Sequence, residues 1–511
     1  MTGPSKDPRK WWALTTLSLA VLLVSVDNTI LVLAIPSISE DLAPTPTELL
    51  WIGDIYSFVL AGLLITMGNV GDRIGRKRLL MIGLASFGVL SIVAAFSPTA
   101  HALIFSRALL GIAGATLMPS TLSLIRTTFP DAKERTFAIG VWGAMAAAGG
   151  GLGPLIGGVL LEHFWWGSVL LINVPIVLLI MGIGQWALRE SSNPNPGPID
   201  LPSVALSLAG ILGTIAGIKE LAIDGFSDYP AWAYLTVGVV ALTWFVRRQL
   251  RLESPLIDIR MFKNKAFSGA VFSDLISVFG LMGVYFFLGQ QFQMVDGDSP
   301  LQAGFQLLPA EIAALLGALS ASTLIGRRGR RFAIGTGIAV GACGLLGLGL
   351  IHVSGLIAVT LAIILVGAGF GISLTGTSDA ILASAPPERA GAASAVSETA
   401  YELGAALGIA LLGTVLGAWY RYKVEVPGAI PADAQAATAD SLASVVSSVD
   451  SFPADSFPGV ADQMLAAARV AFTDGLSFTC VVAAVVCAIG AGVAFRVLPA
   501  KEDEKVLVSQ H

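Results

Sequence analysis

Long apolar runs broken by short polar joints organise this chain from end to end. Fourteen windows reach the roughly 17–25 residues that a bilayer-crossing helix needs. They are 12–36, 49–70, 78–97, 102–125, 136–160, 167–189, 203–221, 230–246, 267–292, 301–325, 333–352, 356–384, 390–418 and 471–497. The joints test this count independently. With the N-terminus inside, and with Arg78, Arg189 and Arg496 at the inner edges of their windows counted inside, all but five of the 30 Lys and Arg fall on inner segments. The five are Arg421, Lys423 and Arg469 in outer segments and Arg107 and Lys219 within spans. That asymmetry is the positive-inside pattern, and one miscounted span would scramble it. The pattern predicts an all-α membrane protein of 14 transmembrane helices, both termini cytoplasmic, multi-pass in the inner (cytoplasmic) membrane.

Composition agrees. The 511 residues are 55% hydrophobic and only 13% charged, against about 25% charged in soluble domains. The net charge of −5 changes little, because in a membrane protein the location of charge matters more than its sum. Cys343, Cys480 and Cys487 lie inside apolar runs and form no disulfide or metal spacing. The four histidines, His101, His163, His352 and His511, are not at zinc-site spacing. No HExxH or CxxC occurs, and the tails are too short for a soluble module. A polytopic enzyme or a receptor is therefore a distant alternative, no metal or cofactor is expected, and nothing suggests a nucleic-acid partner.

Two interruptions divide the chain. The inner joint ESSNPNPGPIDLPS, residues 190–203, is Pro-rich and irregular. It separates a six-helix bundle, 1–189, from a linker plus two-helix hairpin, 190–266. A second six-helix bundle follows over 267–497, with a cytoplasmic tail over 498–511. Within that bundle the outer segment 419–470 has Ala/Ser-rich helical stretches broken by Pro and Gly. It reads as a structured external hairpin or spacer.

Three stretches carry chemistry. In GNVGDRIGRKRLL, residues 68–80, Gly68, Gly71 and Gly75 permit a tight turn and close helix approach. Asp72 can face a helix N-terminus across a bundle interface, where the dipole favours an anion. Arg73, Arg76, Lys77 and Arg78 can reach carboxylates or anionic headgroups, or simply fix orientation. In LIFSRALLGIAGA, residues 103–115, Arg107 is a guanidinium inside a span. Such a charge is costly, about 2.5–3.5 kcal/mol at a helix centre, unless it snorkels outward or has a role. In GGGLGPLIGGVL, residues 149–160, Gly149, Gly153 and Gly157 line one face, and Pro154 removes a backbone hydrogen bond. This face fits a moving interface between bundles, although such faces also occur at static ones.

Acids within spans are the strongest signal. Counting at about 1.5 Å per residue sets Asp27 just outward of the midplane. Glu398 and Glu402 lie about 12 and 18 Å from the inner end of span thirteen, one turn apart in VSETAYELGAALGIA. Glu311 lies about 15 Å in from the outer end of span ten. Asp54 sits nearer the outer end of span two, Asp274 nearer the inner end of span nine, and Asp379 at the inner end of span twelve. Acids in lipid must face the protein interior. Low dielectric disfavours the anion, and neighbouring acids disfavour each other's ionisation. Such groups can hold a proton and release it when a cation arrives, or they can serve as hydrogen-bonded glue. Aromatic and Met side chains suited to lipophilic cations are Trp51, Tyr56, Trp142, Phe286, Phe287, Tyr401, Met145 and Met282, with packing as the ordinary alternative for each.

Taken together the three motifs resemble the signature motifs of the major facilitator superfamily. SVDNTILVLAIPSI and WWGSVLLINVPIVLL look like its fourteen-span drug:proton antiporter branch, of the quaternary-ammonium and dye exporting type. The resemblance covers nearly the whole membrane region. It implies two pseudo-symmetric bundles in a 6+2+6 arrangement, rocking around a central cavity. It implies a cytoplasmic latch in the first motif, a proton-organising role for Arg107, and coupling roles for Asp27, Glu398 and Asp54, the last through WIGDIYSFVLAG. The implied function is export of lipophilic, mostly cationic drugs, dyes and antiseptics. Protons are the counter-substrate, and the driving force is the proton-motive force alone. The implied working unit is a monomer in the lipid bilayer. An exporter of the same fold that moves an endogenous lipid, siderophore or metabolite is the alternative.

Overall fold

The computed structural model describes residues 8–193, 200–223, 229–350, 355–386, 389–427, 430–449 and 459–500. Within these residues every regular element is helical and no strand forms. Fourteen helices are long and apolar enough to cross a membrane, and each overlaps one expected window. In order they are Arg9–Leu31, Trp51–Ile74, Arg76–Ala95, Ala100–Thr128, Ala132–His163, Ser168–Ala187 and Leu201–Ile218, then Tyr229–Gln249, Lys265–Val295, Leu301–Arg328, Arg330–Leu350, Ile357–Ser384, Ala390–Lys423 and Val460–Val497. We number them as spans one to fourteen. The Pro-rich centre of the inner joint, 194–199, and the tail from 501 onward lie outside the described residues.

Local chemistry sets the helix starts. Thr45 and Glu48 form a reciprocal capping box ahead of span two, with Pro46 in the first turn. Ser299, Gln302 and Pro300 do the same for span ten. The Asp131 carboxylate accepts from the Lys133 and Glu134 backbone N–H groups at the start of span five. The turn between spans two and three depends on Gly75, whose φ of 108° lies in the region that side chains avoid. The matching turn between spans ten and eleven uses Gly329 at φ 85°.

Span one packs on span five, and span two on span four. In the later part, span ten packs on span twelve, and span nine on span thirteen. The first six spans meet the last six along two seams, span five against ten and span two against thirteen. Span seven touches both span two and span thirteen, so the extra hairpin leans on the second seam from outside. The outer segment forms two short helices, Ala432–Asp440 and Leu442–Ser448, both packed on the helix that carries span fourteen. Leu442 and Val445 are buried there, and the Tyr420 hydroxyl donates to the Thr438 carbonyl at 2.8 Å.

Candidate functional site

A cavity of about 340 Å³ lies between the two groups of spans. Spans one, four and five contribute Ser25, Asn28, Thr29, Met118 and Trp142 to its wall. Spans nine, ten and thirteen contribute Asp274, Tyr285, Glu311, Glu398, Tyr401 and Glu402. The acids meet because span thirteen lies directly on span nine. A Cβ on Gly404 would come within 2.7 Å of the Leu275 carbonyl oxygen, so only a glycine face permits this approach. Asp274 accepts a hydrogen bond of 2.5 Å from the Thr377 hydroxyl of span twelve. Glu398 is 5% exposed.

Asp27 belongs elsewhere. Its carboxylate is fully buried, accepting from Arg107 Nη1 at 2.9 Å and from Asn173 Nδ2 at 2.7 Å. Asn173 Nδ2 also reaches Ser91 Oγ at 3.2 Å. The Arg107 guanidinium stacks 4.6 Å from the Tyr56 ring centre. Arg107 therefore does not snorkel. It is 1% exposed and neutralises Asp27 inside the first six spans. Asn28, the next residue, faces the cavity instead.

The other candidates scatter. Asp54 is half-buried on span two and off the cavity wall. Asp379 is fully buried at the cytoplasmic end, between Arg330 Nε at 2.8 Å and Arg135 Nε at 3.3 Å. Of the aromatic and Met candidates, Trp142, Met282 and Tyr401 line the cavity. Trp51 and Phe286 are 44% and 48% exposed on the outer surface of the bundle. Tyr56 and Phe287 are buried in packing, and Met145 packs against the core beside the cavity. Tyr285 is a wall residue that sequence reasoning passed over. Its hydroxyl is buried and has no hydrogen-bond partner among the described residues. The usable signal was its place three residues beyond Met282 on the same helix face.

The cytoplasmic ends of the two groups are pinned together. Asp72 accepts from the Gly391 and Ala392 backbone N–H groups at 3.1 and 3.3 Å, across the seam at the N-terminus of span thirteen. That is where the helix dipole favours an anion. Arg76 donates twice to Asp72 Oδ1, at 2.9 and 2.7 Å, and once to Ser191 Oγ at 2.9 Å. Lys77 Nζ donates to the Gln185 and Leu188 carbonyls, closing the C-terminus of span six. Glu190, absent from the expected set, accepts from the Lys77 and Arg78 backbone N–H groups at 3.0 Å each. Arg73 is exposed. Gly68 is required at this seam, because a Cβ there would sit 2.5 Å from the Gly391 carbonyl oxygen. Further cross-seam ties are Ser123 Oγ to Ser394 Oγ at 3.2 Å, Arg126 to the Ala385 carbonyl, and Arg135 to Asp379.

The glycine run of span five divides its faces differently from the moving interface expected of it. Gly149 and Gly157 turn to span one of the same group, where added Cβ atoms would meet Ser25 at 2.5 Å and Ile30 at 2.8 Å. Gly153 meets Thr29 there as well. Span ten is approached instead at Gly140, whose Cβ would sit 2.6 Å from the Ala318 carbonyl oxygen, and at Gly151 beside Glu311. The Pro154 side chain lies outside the described residues.

A cavity that gathers four carboxylates between two six-span groups, with their inner ends tied, is the architecture of a membrane transporter. A family model described as Major Facilitator Superfamily matches residues 17–409, and the chain belongs to that family. It is accordingly a transporter and not an enzyme, and a multi-pass protein of the cell membrane. It is 44% identical to the multidrug efflux pump LfrA of Mycolicibacterium smegmatis, over 96% of this chain and 97% of that one. It is 38% identical to the methyl viologen resistance protein SmvA of Salmonella typhimurium, over 91% of this chain and 93% of that one. Among solved structures, the proton:xylose symporter XylE has the same fold, with a TM-score of 0.61, 14% identity and 97% of each chain covered.

Proposed function

We propose that this chain is a proton-coupled antiporter that exports lipophilic, mostly cationic drugs and dyes by alternating access. One observation carries the reading. The cavity wall holds four carboxylates, Asp274, Glu311, Glu398 and Glu402, and among the described residues no Lys, Arg or His. A wall of that kind attracts cations and rejects anions. Its aromatic members Trp142, Tyr285 and Tyr401 suit a flat or quaternary cation. Relatives named for multidrug efflux and for methyl viologen resistance support the same substrate class.

The cycle follows from the placement of charge. A cation entering from the cytoplasm binds with the acids ionised. Protons arriving from outside then neutralise them, and the cation loses its counter-charge and leaves outward. Proton release to the inside resets the wall. The membrane potential contributes about 2.3 kcal/mol per net charge per 100 mV. The bodies that rock are residues 1–189 and 267–497, with the hairpin in 190–266 riding on one seam. Asp72 and its partners close the inner side when the wall faces outward. The protein works as a monomer in the bilayer and draws on the proton-motive force with no bound cofactor.

The test is proton release from purified protein on adding ethidium or methyl viologen, repeated for Glu311→Gln, Glu398→Gln, Glu402→Gln and Asp274→Asn. Release should fall to background in at least one single variant and in the quadruple one. Undiminished release and efflux in the quadruple variant would remove the reading.

A further inference from the structure

Span eight has two dissimilar faces. Ala231, Gly238, Ala241, Phe245 and Gln249 are buried against span seven. The opposite face turns to the bilayer, with Val240 56% and Trp244 65% exposed. One helical turn on, at the inner end, that face becomes cationic through Arg247 and then Arg251, both exposed. A hollow of about 550 Å³ runs down this stripe, walled by Val240, Thr243 and Trp244 above and by the three arginines and Leu252 below.

The three arginines are not equivalent. Arg248 is already used. It donates to both oxygens of Asp200 at 2.6 and 2.8 Å, and this holds the Asp200 carboxyl down at about 2. Arg247 and Arg251 have no carboxylate partner among the described residues. The floor beneath them is fixed. Gln249 is buried, accepts from the Leu256 backbone N–H at 2.7 Å and donates to Ser203 Oγ at 2.7 Å. The Arg251 and Leu252 backbone N–H groups both turn back onto the Arg248 carbonyl. This loop therefore presents two guanidiniums, with no carboxylate partner among the described residues, at a set position under an apolar groove that holds Trp244.

We propose that this hollow binds one anionic phospholipid of the inner leaflet. Its phosphate sits between Arg247 and Arg251, and an acyl chain lies along Val240 and Trp244. The geometry selects this occupant. Guanidiniums at headgroup level match a phosphodiester, Trp sits at the membrane interface, and the apolar wall continues outward at hydrocarbon depth, where a soluble anion would gain nothing. Span seven leans on both span two and span thirteen. A lipid clamped on this hairpin is thus fastened to the element that bridges the second seam. The site is independent of the cavity and of what the cavity carries.

Native mass spectrometry of the full chain, released from nanodiscs of mixed phosphatidylglycerol and phosphatidylethanolamine, tests this. Wild-type protein should retain one phosphatidylglycerol in preference to phosphatidylethanolamine. Arg247→Gln with Arg251→Gln should lower that retention about thirty-fold, at about tenfold per 1.4 kcal/mol and about 1 kcal/mol for each basic residue. The control pair Lys263→Gln with Lys265→Gln, on the same inner loop, should leave it within about twofold. An unchanged melting temperature of the arginine variant would show that the loss is not unfolding. Equal retention by the arginine variant, equal retention of both lipids, or a lipid-free dimer that dissociates in that variant would each overturn the proposal.

Discussion

Asp27 is fully buried and the cavity acids are buried or half-buried, yet they occupy opposite electrostatic situations. Asp27 is compensated on both oxygens, by Arg107 and by Asn173. Glu311, Glu398 and Glu402 share a wall with Asp274 and with no basic side chain among the described residues. A buried carboxylate that already has its cation is part of the scaffold. A cluster of carboxylates on a wall with no basic side chain among the described residues is, in the function proposed above, the receptor for an arriving cation. Both kinds occur in the last six spans, where Asp379 is paired with Arg330 and Arg135 while the four cavity acids lie on spans nine, ten and thirteen.

Neutralising one member of each kind gives the largest contrast. Asp27→Asn leaves the Arg107 charge buried and uncompensated, and should cost about 3–5 kcal/mol of stability. Adding Arg107→Met should recover most of that loss. Glu311→Gln should leave stability unchanged or raised, because it removes a half-buried charge that no ion pair among the described residues offsets. Thermal unfolding of the detergent-purified variants reads both. If the two melts fell alike, the distinction between scaffold and receptor acids would be lost.

Asp72 lies between these extremes, since its compensation comes partly from the opposite group of spans. Hydrogen bonds to a charged group contribute about 1.5–3 kcal/mol and neutral ones about 0.5–1.5. Asp72→Asn should thus shift the inner seam toward opening about tenfold, with little change in global stability. A thiol placed by Ser394→Cys, beside Ser123 at that seam, should then be alkylated faster. A rate unchanged by the substitution would mean that the seam does not depend on this anion.

The smallest effect belongs to Asp200, a carboxylate whose Arg248 partner is partly exposed. An ion pair of that kind is worth at most about 1 kcal/mol, so Asp200→Asn should barely move the melt. Hydrogen bonds from Arg248 and Ser203 take its carboxyl from 3.8 to about 2 in the folded chain. A carboxyl depressed on folding stabilises fully above its unfolded value and loses that contribution as pH falls through the folded one. Between pH 5 and 8 the difference between wild type and variant should be flat, narrowing only below about pH 4. A slope at neutral pH would contradict this assignment.

Much of the site was legible in sequence because depth was legible. Counting along each span set Asp274, Glu311, Glu398 and Glu402 at heights where lipid cannot tolerate them, and all four meet at one cavity. The same counting gave Asp27 an equal standing, and the structure turns its carboxylate to Arg107 and Asn173 instead of the cavity wall. Residues adjacent on a helix point about 100° apart, so Asp27 and Asn28 at nearly one depth face different neighbours. Phe286 and Tyr285 repeat the lesson on span nine, one toward the surface and the other into the cavity. Glu190 escaped notice for a different reason. Its role is to close the start of span three from the far end of span six, a contact between residues more than a hundred positions apart.

The sequence by itself determined how many times the chain crosses the membrane, which ends of the helices face inward, and how deep each charge lies. Those properties follow from transfer of each segment between water and lipid, one segment at a time. The tertiary structure alone decided the rotation of each helix about its axis, and with it which acids meet a basic partner and which meet at the cavity wall. In these spans apolar residues cover the lipid-facing and protein-facing sides alike, so no amphipathic stripe marks the inner face. Only packing against neighbours, through glycine contacts and buried partners, sets that angle.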